Sequence, residues 1–219
     1  IPQQPSYPSN DPVVTPPSAP VKTGPHIMGN DRETGWDNIR SEIRDTPENG
    51  RVVVDMNGTT RLPKDVLSTL KDRNVDLVLE MGNGISWTIN GLDVTNPKSV
   101  DMRVAKTKNK IPVDVINNVT GEKYSVQLSL AHDGNFGFTA YLTIELGKKN
   151  NGLFANLFWY DEKAEELSLE DYSSIINGKA ELMFTHASEW AIVIDEDILG
   201  ISEDVGSDAG ACCEDDNII

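Results

Sequence analysis

The pattern of apolar and polar positions is most regular from Val52 to Val94. Val52–Met56 is β-branched and apolar and predicts a buried strand. Asn57-Gly58 is a turn signal. Pro63 can begin a helix, and Val66, Leu67 and Leu70 then share one helical face. Val75, Leu77 and Leu79 alternate with Asp76, Val78 and Glu80, as in a second strand. Asn83-Gly84 turns the chain straight back into Ile85, Trp87 and Ile89, one face of a third strand. A helical crossover makes its two strands parallel, and a tight Asn-Gly link makes the next pair antiparallel. The stretch therefore predicts a mixed sheet with one helix against it.

On the N-terminal side, Gly35 to Arg44 reads as a helix with Trp36, Ile39 and Ile43 in one apolar stripe. Pro47 and Asn49-Gly50 end it. From Val100 onward the pattern becomes β. Met102 and Val104 form a short strand; Ile111, Val113 and Val115 alternate, and Asn117-Asn118 begins a turn. Tyr124, Val126, Leu128 and Leu130 alternate with Ser125, Gln127 and Ser129. Asp133-Gly134-Asn135 is expected to turn the chain into Phe138, Ala140, Leu142, Ile144 and Leu146. Strands then follow at Leu153–Tyr160, Leu167–Leu169, Lys179–Phe184 and Trp190–Ile194. Short strands at this spacing imply a mainly β fold with a small α/β portion. The expected architecture is a β-sandwich or partly open barrel, carrying the strand-helix-strand unit and the N-terminal helix.

Composition sets the boundaries. Residues 1–30 hold eight of the twelve prolines, so they read as a semi-rigid linker of the kind found between extracellular modules. Residues 31–198 form the expected single globular module. Residues 199–219 are acidic, with no Lys or Arg, and read as an exposed tail. The formal net charge of -16 argues against nucleic acid or an anionic membrane as partner. It suits neutral ligands such as sugars, or a basic protein. No apolar run is long enough to cross a bilayer.

Catalytic and cofactor motifs are absent. Gly82-Asn83-Gly84 lacks the third glycine of a dinucleotide fingerprint, and there is no Walker loop. His132 and His186 have serines nearby, but no Gly-x-Ser-x-Gly elbow. Asp195 and Asp197 are a fragment of a calcium loop without its glycine and terminal glutamate. No cofactor or metal is expected. The most aromatic segment is Leu153–Tyr160. In a strand, Leu157 and Trp159 face one side while Phe158 and Tyr160 face the other. If one face alone is core, the other exposes aromatic rings, on which sugars stack their C–H faces. A strand buried on both faces is the alternative. Trp190 enters a later strand, and Trp87, between Ile85 and Ile89, reads as core. Cys212 and Cys213 are either reduced thiols in the tail or a strained vicinal disulfide with a compact apolar surface.

The segments GWDNI, VVVDMNGTTRLPKDVLSTLK, VDLVLEMGNGISWTINGLDV, AHDGNFGFTAYLTIELGKKNNGLFANLFWY and ELMFTHASEWAIVID, in order over about residues 35–195, resemble a module of large secreted proteins of gut Firmicutes. These include cohesin- and dockerin-bearing components of ruminococcal cellulosomes and amylosomes, starch-adherence proteins of the amylosome among them. The resemblance implies a non-catalytic module at the bacterial cell surface that binds starch or maltooligosaccharides, with cohesin–dockerin assembly left to other modules. It supplies no binding residues by position. On this reading Trp159, Tyr160 and Trp190 are the expected stacking platforms and Cys212-Cys213 an apolar wall. Asp161, Glu189 and Asp215, chosen for adjacency, would accept hydrogen bonds from sugar hydroxyls. The alternative is a structural spacer or protein-interaction module of the same kind of surface protein.

Overall fold

The computed structural model describes residues 24–29, 34–121 and 123–200. Most of the proline-rich linker and nearly all of the acidic tail, including Cys212, Cys213 and Asp215, lie outside these residues.

The chain starts with β1 (His26–Ile27), α1 (Trp36–Asp45) and β2 (Gly50–Asp55). β3 (Arg61–Leu62), α2 (Lys64–Leu70), β4 (Val75–Gly82) and β5 (Ile85–Asn90) follow. β2 and β4 are parallel, and β5 returns antiparallel to β4. The link between β4 and β5 holds Asn83 at φ 53° and Gly84 at φ 72°, the two left-handed residues that match a hairpin's twist. The apolar spacing of this stretch is thus realised strand by strand. On α1, Ile39 and Ile43 are buried and Trp36 packs at the margin of the core; on α2, Val66, Leu67 and Leu70 are buried. Arg40 of α1 reaches Asp65 of α2 at 2.9 Å and ties the two helices together.

After β6 (Val100–Asp101) and β7 (Val104–Thr107) comes α3 (Val113–Thr120). This corrects the strand expected over Ile111, Val113 and Val115. Pro112 precedes the helix, with φ already near the helical value, Asp114 sits in the first turn, and Gly121 closes the helix in the left-handed conformation. These end signals outweigh the strand preference of the β-branched residues. Three alternating residues are too few to separate the two periods, and Val113 points outward while Ile116 is buried.

The remaining elements are β8 (Ser125–Glu145), β9 (Phe154–Asp161), β10 (Glu166–Ser174) and β11 (Lys179–Asp195). β8 is a single strand, so Asp133-Gly134-Asn135 is a bend and not the expected reversal. Gly134 and Gly137 adopt φ 73° and 80°, and β11 runs beside β8 on both sides of the bend, slipping register between Phe184 and His186 and again between Ala187 and Glu189. A glycine with positive φ serves a bulge as well as a hairpin. Here the matching bulges in β11 keep the partner alongside. The strands expected separately at Lys179–Phe184 and Trp190–Ile194 are the two arms of β11.

The bent β8–β11 pair creases one nine-stranded sheet into two leaves, sandwich-like and not a closed barrel. In the first leaf, Val54, Leu79, Trp87, Leu142 and Leu182 form one row of register partners across five strands. In the second, Lys106, Leu128, Trp190, Trp159 and Ser168 form the equivalent row. Most apolar members of both rows are buried in one core cluster, with Trp159 at its margin and the buried faces of α1 and α2 completing it. The outer face of the second leaf carries a smaller core, in which Phe158, Tyr160, Ala191 and Val193 pack with Ile111 and with Ile116 of α3.

Candidate functional site

The expected site residues fall on both faces of the second leaf. Trp159 and Trp190 are register partners on β9 and β11 and so face the same side. His186 lies against both, its ring centroid 5.5 Å from Trp159 edge-on and 4.9 Å from Trp190. Trp159 donates its indole N–H to Ser188 Oγ at 3.0 Å and is partly exposed. Trp190 is 1% exposed and packs edge-to-face on Phe184. Tyr160 points the opposite way and is 7% exposed. Neither Trp190 nor Tyr160 presents an open ring face, a correction to their expected role as platforms. For Tyr160 the reason is α3: a helix where the pattern suggested a strand covers the face that would have left Phe158 and Tyr160 free, while Trp190 is enclosed by the main core on the opposite face.

The carboxylates have local partners. Asp161 accepts from the backbone N–H groups of Lys163 and Ala164, and so shapes the link from β9 to β10. Glu189 accepts from Ser129 Oγ at 2.9 Å and lies 3.8 Å from Lys110 Nζ. It shares a cavity of about 170 Å3 with Tyr160, so these two expected residues are brought together, apart from Trp159 and Trp190.

Burial pushes His186 below its ordinary pKa, with Glu170 opposing weakly; burial does the same to His132, helped by Lys98. A histidine with a depressed folded pKa binds more protons when the chain unfolds. Its stabilising effect is whole above the unfolded value of about 6.5 and is lost as pH falls below that toward the folded pKa. Melting at pH 5 should therefore occur at a lower temperature than at pH 7.5. His186→Phe should remove part of this difference, measured by circular dichroism of both chains at both pH values.

A second concave feature lies elsewhere. A cleft of about 700 Å3 opens between α3, the end of β7 and the two ends of β8. This volume lies within the range of small-ligand sites. Val113, Ile116 and Val126 supply apolar lining, and Asn117, Glu145 and Lys106 supply polar groups. Tyr124 stands at the cleft, 60% exposed, with Lys149 Nζ 5.5 Å from its ring centroid. Gln127 holds the wall in place. Its buried amide accepts from the N–H groups of Lys110 and Ile111, both at 3.0 Å, and donates to the carbonyls of Lys108 and Ile111 at 3.1 and 3.2 Å.

Tyr124 was not singled out by the sequence, where it simply continues an inward-facing alternation. The alternation does not reveal where the neighbouring strand stops. β7 pairs with β8 only as far as Gln127, so Tyr124 has no β7 neighbour beside it, although its carbonyl still accepts from the Ile194 N–H of β11 at 3.0 Å. Its neighbour Lys123, a charged residue where the strand should begin, is the one local sign. Among the described residues, no group of three or more His, Cys, Asp or Glu is arranged to hold a metal, and no helix is long and apolar enough to cross a membrane. Comparison of the chain with protein family models, curated proteins and solved structures finds no match in any of the three.

Proposed function

We propose that this chain is a non-catalytic carbohydrate-binding module that holds α-glucan in the cleft beside Tyr124. The observation that carries the proposal is the exposed Tyr124 ring at a cleft combining apolar lining with hydrogen-bonding groups. A pyranose offers an apolar C–H face and a rim of hydroxyls. The ring would take the face, while the Asn117 amide and the Glu145 carboxylate would bond the rim. The non-catalytic reading is supported by the lining: glycoside hydrolysis generally uses a pair of carboxylates flanking the scissile bond, and among the described residues Glu145 is the single carboxylate lining the cleft. The choice of α-glucan, and of a multimodular bacterial surface protein with cohesin–dockerin pairing in other modules, rests on the resemblance described above.

Affinity is expected to be modest, because one ring and a few polar groups offer limited contact. Tyr124→Ala should weaken maltoheptaose about tenfold, corresponding to a stacking contribution of about 1.4 kcal/mol. Calorimetry against maltoheptaose, cellooligosaccharides and xylooligosaccharides checks this. Heat with maltoheptaose alone supports the α-glucan reading. Absence of heat with every sugar overturns it. The burial of Trp87, Trp190 and Tyr160 would then favour the second reading, a structural spacer or protein-interaction module.

A further inference from the structure

The overall charge of the chain conceals a local reversal. Asp and Glu outnumber Lys and Arg by 35 to 19, yet Lys106 and Lys108 both line the cleft and Lys149 lies over Tyr124. Nearby lysines outside the cleft are neutralised: Lys110 faces Glu189, and Lys123 pairs with Asp195. Among the described residues, Lys106, Lys108 and Lys149 have no such carboxylate partner. Lys106 Nζ instead donates to the backbone carbonyl of Glu145 at 3.3 Å, which holds the ammonium across the cleft from β7 to the end of β8. In a chain so rich in acids, the cleft carries two ammonium groups in its lining and a third over its aromatic ring against one lining carboxylate, Glu145, among the described residues. A ligand that supplies negative charge gains ionic hydrogen bonds that a neutral ligand cannot make.

We infer that the cleft is selective for glycans that carry anionic groups, with Lys106 and Lys108 holding the anion while Tyr124 stacks on the sugar ring. This rests on the carbohydrate-binding reading and narrows its ligand class. The shared chemistry is a phosphate ester or a carboxylate fixed on a sugar. The full chain would be titrated with neutral maltoheptaose, a phosphorylated maltooligosaccharide and an oligogalacturonate, each at low and high sodium chloride.

At least one charged ligand should bind about tenfold or more tightly than maltoheptaose at low salt. The advantage should shrink at high salt, because exposed ion pairs are screened. The phosphorylated ligand alone would assign phosphate esters, and the oligogalacturonate alone would assign uronates. The double variant Lys106→Gln/Lys108→Gln, verified as folded by its melting curve, should bring charged and neutral ligands to equal affinity. Equal binding of charged and neutral sugars by the unaltered chain would overturn the inference and leave the carbohydrate reading intact. A preference that persists in the double variant would also overturn it. Failure of all three sugars to bind would overturn both.

Discussion

Replacing Trp87 with alanine is expected to lower the unfolding free energy by about 4 kcal/mol, as for other buried tryptophans cut back to alanine. Trp87 is fully buried at the middle of the row that crosses the first leaf. Its ring meets Phe136 and Phe184 edge-on, with centroids 6.2 and 5.4 Å away, so it joins β5 to both long strands near their bend. Its indole N–H also donates to the Met102 carbonyl at 2.8 Å, fixing the chain between β6 and β7. The variant therefore loses packing and strands a buried carbonyl. Trp87→Phe separates the two effects: most of the ring volume stays, the hydrogen bond goes, and a loss of about 1–3 kcal/mol is expected. Urea unfolding of the three chains measures both. A loss under 1 kcal/mol for the alanine variant would mean that the two leaves do not depend on this ring.

Gln127→Leu is expected to cost roughly 3 kcal/mol, because one buried amide makes four hydrogen bonds and leucine makes none. The consequence reaches the candidate site. The bonded segment, Lys108 to Ile111, runs straight into α3 through Pro112, so Gln127 sets both the Lys108 side of the cleft and the start of the helix opposite. The variant should remain folded but bind maltoheptaose several-fold more weakly, because the segment that Gln127 holds in place lines the cleft. Faster amide exchange confined to residues 108–116 would confirm the mechanism. Unchanged exchange there, with stability lost elsewhere, would refute it.

These two residues also show what the sequence makes legible. Trp87 could be read as core because it sits between Ile85 and Ile89 in an alternating run bounded by Asn83-Gly84, and local pattern and tertiary burial agree. The whole strand-helix-strand-hairpin unit was legible for the same reason. Its contacts are set by short turns and one crossover helix. Gln127 was not legible. It is a polar residue at an outward position of an alternating strand, and only the later docking of residues 108–120 makes that face interior. The same packing closes over Phe158 and Tyr160, so the aromatic segment that promised an exposed platform became a strand buried on both faces.

The bend in β8 escaped for a different reason. Asp133-Gly134-Asn135 has the turn chemistry of a hairpin, and whether such a site reverses or kinks a strand depends on a partner some fifty residues away, at His186 and Ala187. The pairing of Trp159 with Trp190 is likewise a matter of register between distant strands. Tyr124 depends on where β7 ends. Residue type pointed to aromatic rings and their chemistry, but which rings stay open is decided by long-range packing that periodicity does not encode.

The most direct test of the carbohydrate reading is a nuclear magnetic resonance titration of the isotope-labelled chain with maltoheptaose, following the backbone amides and the tyrosine ring signals. The proposed site requires saturable shifts concentrated at Lys106–Lys108, Val113–Asn117, Tyr124–Gln127 and Glu145–Gly147, with the Tyr124 ring among the largest. Shifts centred instead on Trp159, His186 and Ser188, or none at millimolar sugar, would contradict the placement of an α-glucan in this cleft.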